Sequence, residues 1–312
     1  MARESLERLK GSPRRLAIVV AMLSLAVGVA VLGGFTLFSA LLTGGSGPVQ
    51  PRRAEGVPPP EHQGGPLRVM TVNLAHGRGT AFSQLLVDAS KTRDNLKRVA
   101  REIIGYDPHV VALQEADLGS FWSGGFDNVA YLAKQASCPW SVPGMHVKGM
   151  GLEYGCSLIS RLPVGNARSH TFPFYPPTPT KGWVLAEIPW PGRPGARVAV
   201  VSLHLDWLLP QKRREQALVF IRHMENVARP LVVMGDFNTE ETGDGSVLDL
   251  VMDELNLRAW RPGDRNLVTM PGMNMRLDWI LVSRELSFTD HAVLHVEVSD
   301  HLPVYAELSR RP

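Results

Sequence analysis

The stretch Leu231-Val232-Val233-Met234-Gly235-Asp236-Phe237-Asn238 is an apolar run that ends in a carboxylate and an amide. A short run of large apolar residues is typical of a strand that is buried in a sheet. The polar side chains of Asp236 and Asn238 follow where that strand ends. The stretch therefore predicts a buried strand that delivers oxygen atoms to one edge of a sheet.

Other apolar runs in the chain end in the same way. Asn73, Glu115 and the pair Asp300-His301 follow predicted strands at residues 67–72, 110–113 and 293–298. Polar groups at the ends of several strands converge when those strands share a sheet. A sheet edge that gathers Glu, Asp, Asn and His predicts a metal-assisted hydrolytic site.

Predicted strands and helices mix along residues 67–308. Apolar spacing predicts helices at residues 94–104, 128–136 and 211–227, and further strands at 154–160, 184–188, 198–204, 277–282 and 304–308. Several strand-to-strand connections are too short for a crossover helix. The fold class is therefore α/β in the α+β sense, with two mixed sheets packed face to face and helices outside, rather than one doubly wound parallel sheet.

The charge of the 312-residue chain is unevenly distributed. Its net charge is +3, but residues 1–53 hold seven basic and two acidic residues, a net +5, so the rest of the chain carries −2. The basic character thus belongs to the N-terminal arms, and does not argue for nucleic acid binding by the folded domain. The charge balance also disfavours substrates that carry many negative charges, since these need clusters of Lys and Arg.

Residues 16–43 contain no charged side chain and are long enough to cross a bilayer. The basic residues before them predict a cytoplasmic N-terminus and an extracytoplasmic remainder; a cleaved signal peptide is the competing interpretation. We expect a basic cytoplasmic flank at 1–15, a transmembrane signal anchor at 16–43, a Pro/Gly-rich linker at 44–66 that acts as a semi-extended tether, and a catalytic domain at 67–310.

Cys138 and Cys156 are too few for a disulfide scaffold and lie far from any His cluster. They flank a predicted hairpin, so a single bridge is one possibility in an exported domain, and two buried thiols are the other. Lys212-Arg213-Arg214 opens a predicted helix and is expected to be a solvated face. Residues 172–180, with four prolines, are expected to form a loop.

Six stretches in sequence order resemble the endonuclease/exonuclease/phosphatase superfamily, which includes deoxyribonuclease I, apurinic endonucleases, neutral sphingomyelinases and inositol polyphosphate phosphatases. They are Val72-Asn73, Leu113-Gln114-Glu115, Ser202-Leu203-His204-Leu205, Gly235-Asp236-Phe237-Asn238, Arg276-Leu277-Asp278-Trp279 and Ser299-Asp300-His301. The resemblance covers residues 67–308. It implies a four-layer α/β/β/α sandwich that hydrolyses phosphate esters with a divalent cation, usually magnesium, with manganese as the alternative.

The resemblance also implies ligands for that cation. Glu115 is the expected main ligand, with Asn73 and Asp300 completing or adjoining its coordination shell. Such a site, with few carboxylates, suits magnesium, which prefers hard oxygen ligands and keeps several waters.

His301 is implied to be the general base or the group that binds the scissile phosphate, oriented by Asp278. Asp236 and Asn238 would position the attacking water and a phosphate oxygen, and Asp236 is an alternative base. His204 would stabilise the leaving oxygen, paired with Glu153 as its acidic partner.

We expect a membrane-tethered, metal-dependent phosphoesterase that acts on phosphodiesters outside the cytoplasm. Its substrate is either a lipid head group, as in a phospholipase C or sphingomyelinase, or a nucleic acid, and the sequence leaves both open. A non-catalytic binding domain on the same fold is the alternative in a different class. The N-terminal helix is the expected membrane contact, and no protein partner is predicted.

Overall fold

Two β-sheets pack face to face, and helices cover the outer face of each. The computed structural model describes residues 13–58, 64–240 and 245–311. The strands are β1 (Gly47–Pro48), β2 (Arg52–Arg53), β3 (Leu67–Asn73), β4 (Val110–Asp117), β5 (Trp140–Pro143), β6 (Val147–Gly149), β7 (Leu152–Ser160), β8 (Gly165–Thr171), β9 (Gly182–Pro189), β10 (Arg197–His204), β11 (Leu231–Asp236), β12 (Leu257–Ala259), β13 (Asp278–Ser283), β14 (Leu286–Val293) and β15 (Val304–Arg310). The α-helices are α1 (Pro13–Ala40), α2 (Ala89–Tyr106), α3 (Asn128–Gln135), α4 (Pro210–Met224) and α5 (Val247–Leu255).

The two sheets are mixed, as predicted. Within the described ranges the first sheet has the order β14-β15-β3-β4-β7-β5-β2, with β6 paired to β7, and the second has the order β1-β8-β9-β10-β11-β13-β12. The pairs β3–β4 and β10–β11 are parallel. Apolar side chains of both inner faces, such as Ala112 and Leu158 opposite Val200 and Met234, form one core between the sheets.

Each outer face has its own helix layer and core. Helices α2 and α3 bury Leu96, Ile103 and Leu132 against the first sheet, and α4 and α5 bury Phe220 and Val251 against the second. Complete burial of one such side chain stabilises the fold by about 1.5–3 kcal/mol. The four layers confirm the predicted α/β/β/α sandwich.

Helix α2 illustrates how local sequence sets an element's bounds. The Asp88 side chain accepts a hydrogen bond from the Lys91 backbone N–H at 2.8 Å and caps the first turn. The helix ends at Asp107, which has the left-handed φ of +50°, and Pro108 follows. It thus begins before the predicted residue 94, because the cap, rather than the first apolar residue, marks its start.

Strand register brings the predicted polar residues together. Asn73 at the end of β3 pairs with Gln114 of the parallel β4, and His204 at the end of β10 pairs with Asp236 of the parallel β11. Asp278 opens β13 directly opposite Asp236 in an antiparallel pair. These residues consequently lie at the same end of the sandwich.

Several parts of the domain differ from the predicted elements, among them β12 and β14, which were not predicted. Strand β14 ends at Val293, so the strand predicted at residues 293–298 is wrong, and Asp300-His301 lies on a loop between β14 and β15. The backbone of Leu294 still donates to Pro303 O at 2.8 Å, which closes the base of that loop. Helix α5 and strand β8 had no clear signal in the sequence.

The expected tether also differs, because part of it is packed onto the sandwich. Strand β1 pairs with β8 at one edge of the second sheet, and β2 pairs with β5 at one edge of the first. Leu42, just after α1, is fully buried against Val147, Leu152 and Tyr154. Residues 42–53 therefore belong to the folded domain, whose start lies before the predicted residue 67; residues 59–63 of the expected linker lie outside the described residues.

The apolar part of helix α1 is exposed where the structure describes its side chains. Its segment Ala17–Leu37 has 21 residues and a mean hydropathy of 2.5, and none of it is buried inside the protein. It is therefore long and apolar enough to cross a membrane. Most of the basic flank predicted at 1–15 lies outside the described residues.

The two cysteines are buried free thiols. The Cys138 thiol donates to Ala136 O, and the Cys156 thiol donates to Gly182 O. Burial raises the pKa of Cys138 to about 12. The structure thus favours the second of the two sequence interpretations, without a disulfide.

Candidate active site

A cleft of about 560 Å³ opens where the strand ends meet. The residues that line it come from both sheets and from the loops that follow them: Asn73, His76, Arg78, Phe82, Gln84, Glu115, His204, Trp207, Arg213, Asp236, Asn238, Met270, Met273, Met275, Leu277, Asp300 and His301. Seven of the nine residues predicted from the sequence therefore face one cleft. Asp278 lies directly behind it, and Glu153 lies outside it.

Asp278 holds the His301 ring at the floor of the cleft. His301 Nδ1 lies 2.8 Å from Asp278 Oδ2 and 4.0 Å from Asp236 Oδ2. Burial alone would lower the pKa of His301, but the two carboxylates outweigh it and raise the pKa to about 10. The imidazole is therefore held as a cation, with Nδ1 donating to Asp278, and Nε2 makes no hydrogen bond to any residue that the structure describes.

Asp236 is positioned by two amides. Its Oδ1 accepts from the Asn238 backbone N–H at 2.9 Å, and its Oδ2 accepts from Asn73 Nδ2 at 3.0 Å. Burial and the nearby Asp278 carboxylate raise the pKa of Asp236 to about 7. Asn238 also donates through Nδ2 to Leu205 O at 3.0 Å, which fixes the turn after β11.

Glu115 sits on a β-bulge and is surrounded by cations. The register of β4 against β7 shifts between Leu113 and Ala116, and Glu115 has a φ of +47°. Its carboxylate lies 3.5 Å from His76 Nε2 and 3.5 Å from Lys181 Nζ. Although burial opposes ionisation, these positive groups lower the pKa of Glu115 well below its usual value.

Asp300 reaches the same region from the loop before β15. It forms an ion pair with Arg78, and the other end of the Arg78 guanidinium lies 3.9 Å from Glu115. Arg78 thus joins two of the three residues that were predicted to bind the cation.

His204 has a different partner from the one predicted. Its Nδ1 lies 3.5 Å from Lys181 Nζ, and its Nε2 lies 3.6 Å from Asp236 Oδ2. Glu153 instead lies on β7 opposite Lys148 of β6, so the expected His204–Glu153 pair is wrong. Burial and the adjacent Lys181 charge lower the pKa of His204 far below its usual value, so its ring is neutral.

Four polar side chains of this region were missed from the sequence: His76, Arg78, Asp117 and Lys181. His76 Nδ1 lies 2.9 Å from the fully buried Asp117, which also accepts from Trp122 Nε1 at 3.0 Å. Two of them could have been found by their position after a predicted strand, since His76 and Arg78 follow Asn73 on the same loop. Lys181 had no such signal, because it precedes its strand rather than following one.

Lys212 is not on the solvated face predicted for it. It is buried, with Nζ 3.0 Å from Asp206 Oδ2 and 2.6 Å from both Thr178 Oγ1 and Tyr175 O. Burial lowers the pKa of Lys212, against the opposing effect of Asp206. The buried pair ties the start of α4 to the loop at residues 172–180.

The donor set of the cleft fits a hard divalent cation. Carboxylate oxygens of Glu115, Asp236 and Asp300 and the amide oxygen of Asn73 are the ligand type that magnesium and manganese accept. Single polar atoms of Asp236, Asp278 and His301 also lie within 4.8 Å of one another, but the protonated His301 ring cannot act as a ligand there. Within the described residues, the buried Asp278 Oδ1 has no hydrogen-bond partner, which leaves an acidic oxygen available there.

Such a fold and such a cleft define a phosphoester hydrolase of the two-sheet sandwich class. The sequence profile of the Endonuclease/Exonuclease/phosphatase family matches residues 70–301. The chain therefore belongs to this family of phosphoester hydrolases.

Solved structures agree with this assignment at the level of the fold. An endonuclease/exonuclease/phosphatase from Bacteroides vulgatus is similar over 79% of this chain and 100% of its own, at 18% identity and a TM-score of 0.61. An endonuclease/exonuclease/phosphatase from Beutenbergia cavernae is similar over 78% of this chain and 71% of its own, at 22% identity and a TM-score of 0.59. A mannosyl-6-phosphatase from Bacteroides thetaiotaomicron is similar over 78% of this chain and 99% of its own, at 16% identity and a TM-score of 0.59. No curated protein matches the chain.

Proposed function

We propose that this protein is a divalent-metal-dependent phosphodiesterase that α1 anchors in the cell membrane, with the sandwich outside the cytoplasm. The observation that carries the proposal is the Asp278–His301–Asp236 cluster, which shares one cleft with Glu115. Acids and an imidazole held at fixed positions beside an open volume are what hydrolysis of a phosphate ester requires.

His301 binds and neutralises a phosphate oxygen in this proposal. Its Nδ1 is committed to Asp278 at 2.8 Å, so Nε2–H is the group that donates to substrate. A cationic donor that is already oriented stabilises the negative charge that builds up on the phosphoryl oxygens. Of the two roles implied by the family resemblance, phosphate binding is therefore the one that the charge state favours.

Asp236 orients the attacking water and accepts its proton. Its two oxygens are held by Asn238 and Asn73 and point into the cleft beside His301. His204 is neutral, and its Nε2 lies 3.6 Å from Asp236 Oδ2, from where it stabilises the leaving oxygen. Lys181, between His204 and Glu115, adds positive charge for the phosphate group.

Glu115, Asn73 and Asp300 are the residues that would hold the cation, magnesium or manganese. When bound, the cation supplies Lewis-acid polarisation of a phosphoryl oxygen. The Arg78 guanidinium lies between Glu115 and Asp300 and keeps both carboxylates directed into the same volume.

The substrate class follows from the modest charge of the cleft. Arg78 is paired with Asp300 and Lys181 with Glu115, and beside these pairs Arg213 and His301 are the positive groups that line the cleft, which is little charge for a polyphosphate. A phosphodiester, with one negative charge, fits this balance better. A nuclease remains the second candidate within the class. A non-catalytic binding domain is disfavoured, because the cleft retains acid, amide and imidazole groups in contact with one another.

Hydrolysis of bis-p-nitrophenyl phosphate by the full chain in detergent tests the proposal. We expect turnover with Mg²⁺ or Mn²⁺ and a loss of more than 100-fold with EDTA, restored by adding the cation back, because the phosphoryl charge is no longer polarised. Activity that persists in EDTA, or none with any divalent cation, would contradict the proposal. Plasmid DNA, RNA and labelled phospholipids, offered in parallel, separate the nuclease from the lipid phosphodiesterase.

A further inference from the structure

Three exposed, large apolar side chains line the cleft, and three more lie on the neighbouring turns. We call them the apolar rim: Phe82, Leu85, Leu86, Phe121, Trp207 and Met273. Phe82 is 96% exposed and Leu86 is 72% exposed. A soluble domain rarely gathers such side chains on one surface unless that surface meets an apolar partner.

Rim residues line the cleft on two sides, one beside each sheet. Phe82 and Gln84 line it on the side of β3, and Trp207 and Met273 line it on the side of the second sheet. The short helical turn Gln84–Leu86 packs against the turn Phe121–Ser123, which extends the rim away from the cleft. A polar floor with an apolar border is the arrangement that an amphiphilic phosphoester would need.

The rim continues into the place where the chain leaves α1. Phe121 N donates to Gly151 O at 3.0 Å, next to the exposed Met150. On the other side of Met150, Gly149 lies against the backbone of Leu41, and Lys148 N donates to Leu42 O at 2.9 Å. The end of the apolar helix and the apolar rim are therefore neighbours on one surface of the molecule.

We propose that the apolar rim rests on the bilayer that α1 spans, and that the cleft takes its phosphodiester from lipids of that bilayer. This deepens the proposed function and rests on it, because it names the substrate class as membrane phospholipids. Rim side chains that enter the boundary between head groups and acyl chains gain free energy by leaving water. The lipid phosphate, which lies at that boundary, then meets His301 and Asp236 while the acyl chains stay in the membrane.

A spin label reports the position of the rim whatever the activity. The full chain is reconstituted in phosphatidylcholine vesicles, with a nitroxide on Leu85→Cys or, as the matched control, on Ile104→Cys, an exposed apolar position of α2 that is not part of the rim. The two native thiols are buried and leave the label to the new cysteine. We expect the label at position 85 to collide with oxygen and to be protected from a water-soluble nickel chelate, and the label at position 104 to show the reverse.

A rate comparison tests the choice of substrate. The double variant Leu85→Ser/Leu86→Ser changes two rim residues that do not line the cleft. We expect its hydrolysis of vesicle phospholipid to fall more than tenfold and its hydrolysis of bis-p-nitrophenyl phosphate to stay within twofold of wild type. Ile104→Ser should change neither rate.

The results separate this inference from the proposed function. Equal nickel accessibility at positions 85 and 104 would overturn the membrane contact, leaving a protein partner as the occupant of the rim. Membrane contact combined with equal loss on both substrates, or with no loss on lipid, would overturn the lipid substrate. Absence of all phosphoesterase activity would instead contradict the proposed function, and the spin label would still report whether the rim contacts the membrane.

Discussion

His301→Gln is expected to lower kcat on bis-p-nitrophenyl phosphate by about 10³–10⁴-fold, with a smaller change in KM. The imidazolium at the floor of the cleft is held 2.8 Å from Asp278, and the neutral amide of glutamine carries no charge to stabilise the transition state. Steady-state kinetics with saturating Mg²⁺ give both parameters. Asp278→Asn should give a loss of the same order, because the ring loses the carboxylate that orients it and keeps it charged.

The matched control is His295→Gln, which changes an exposed histidine on the same loop. We expect wild-type kcat and KM for it. A His301→Gln enzyme within tenfold of wild type would show that the histidine only packs against Asp278.

Lys212→Met is expected to destabilise the fold by about 3–5 kcal/mol, the usual cost of leaving one partner of a buried ion pair alone. The Lys212 ammonium has Asp206, Thr178 and the Tyr175 carbonyl as partners, and methionine has about the same length without the charge. Urea-induced unfolding, followed by tryptophan fluorescence, measures the change. Since the other oxygen of Asp206 accepts from the backbone N–H groups of Leu208 and Leu209, just before α4, the loop that carries Trp207 should loosen first.

Two further variants make this prediction specific. Arg214→Met changes an exposed residue of the same helical turn and should alter the free energy of unfolding by less than about 0.5 kcal/mol. Asp206→Asn combined with Lys212→Met removes both charges and should recover part of the loss. A loss below about 1 kcal/mol for Lys212→Met alone would place the lysine in water, as the sequence first indicated.

Much of the fold and of the cleft could be predicted because apolar runs mark buried strands. Asn73, His204 and Asp236 end such runs, and parallel pairing puts strand ends side by side. Glu115 was found for the same reason, although the bulge that turns it into the cleft has no sequence signature.

The failures have a common physical cause. Glu153 lies inside β7 rather than at a strand end. Side chains of a strand point alternately to its two faces, so the register of β7 decides on which face Glu153 lies. Lys181 depends on Glu115, 66 residues away in sequence, and Lys212 depends on Thr178, 34 residues away, as well as on the nearby Asp206. A Gly- and Pro-rich composition cannot reveal that β1 and β2 extend the sheet edges, because backbone hydrogen bonds make those pairs whatever the side chains.

Binding of Mn²⁺ by the full chain, followed by electron paramagnetic resonance, tests most directly whether carboxylates from separate strand ends surround one cation. We expect binding by the wild-type protein and by Glu153→Gln, whose residue lies outside the cleft, and a loss of at least tenfold in affinity for Glu115→Gln. Equal affinity of the wild-type protein and Glu115→Gln would contradict the account.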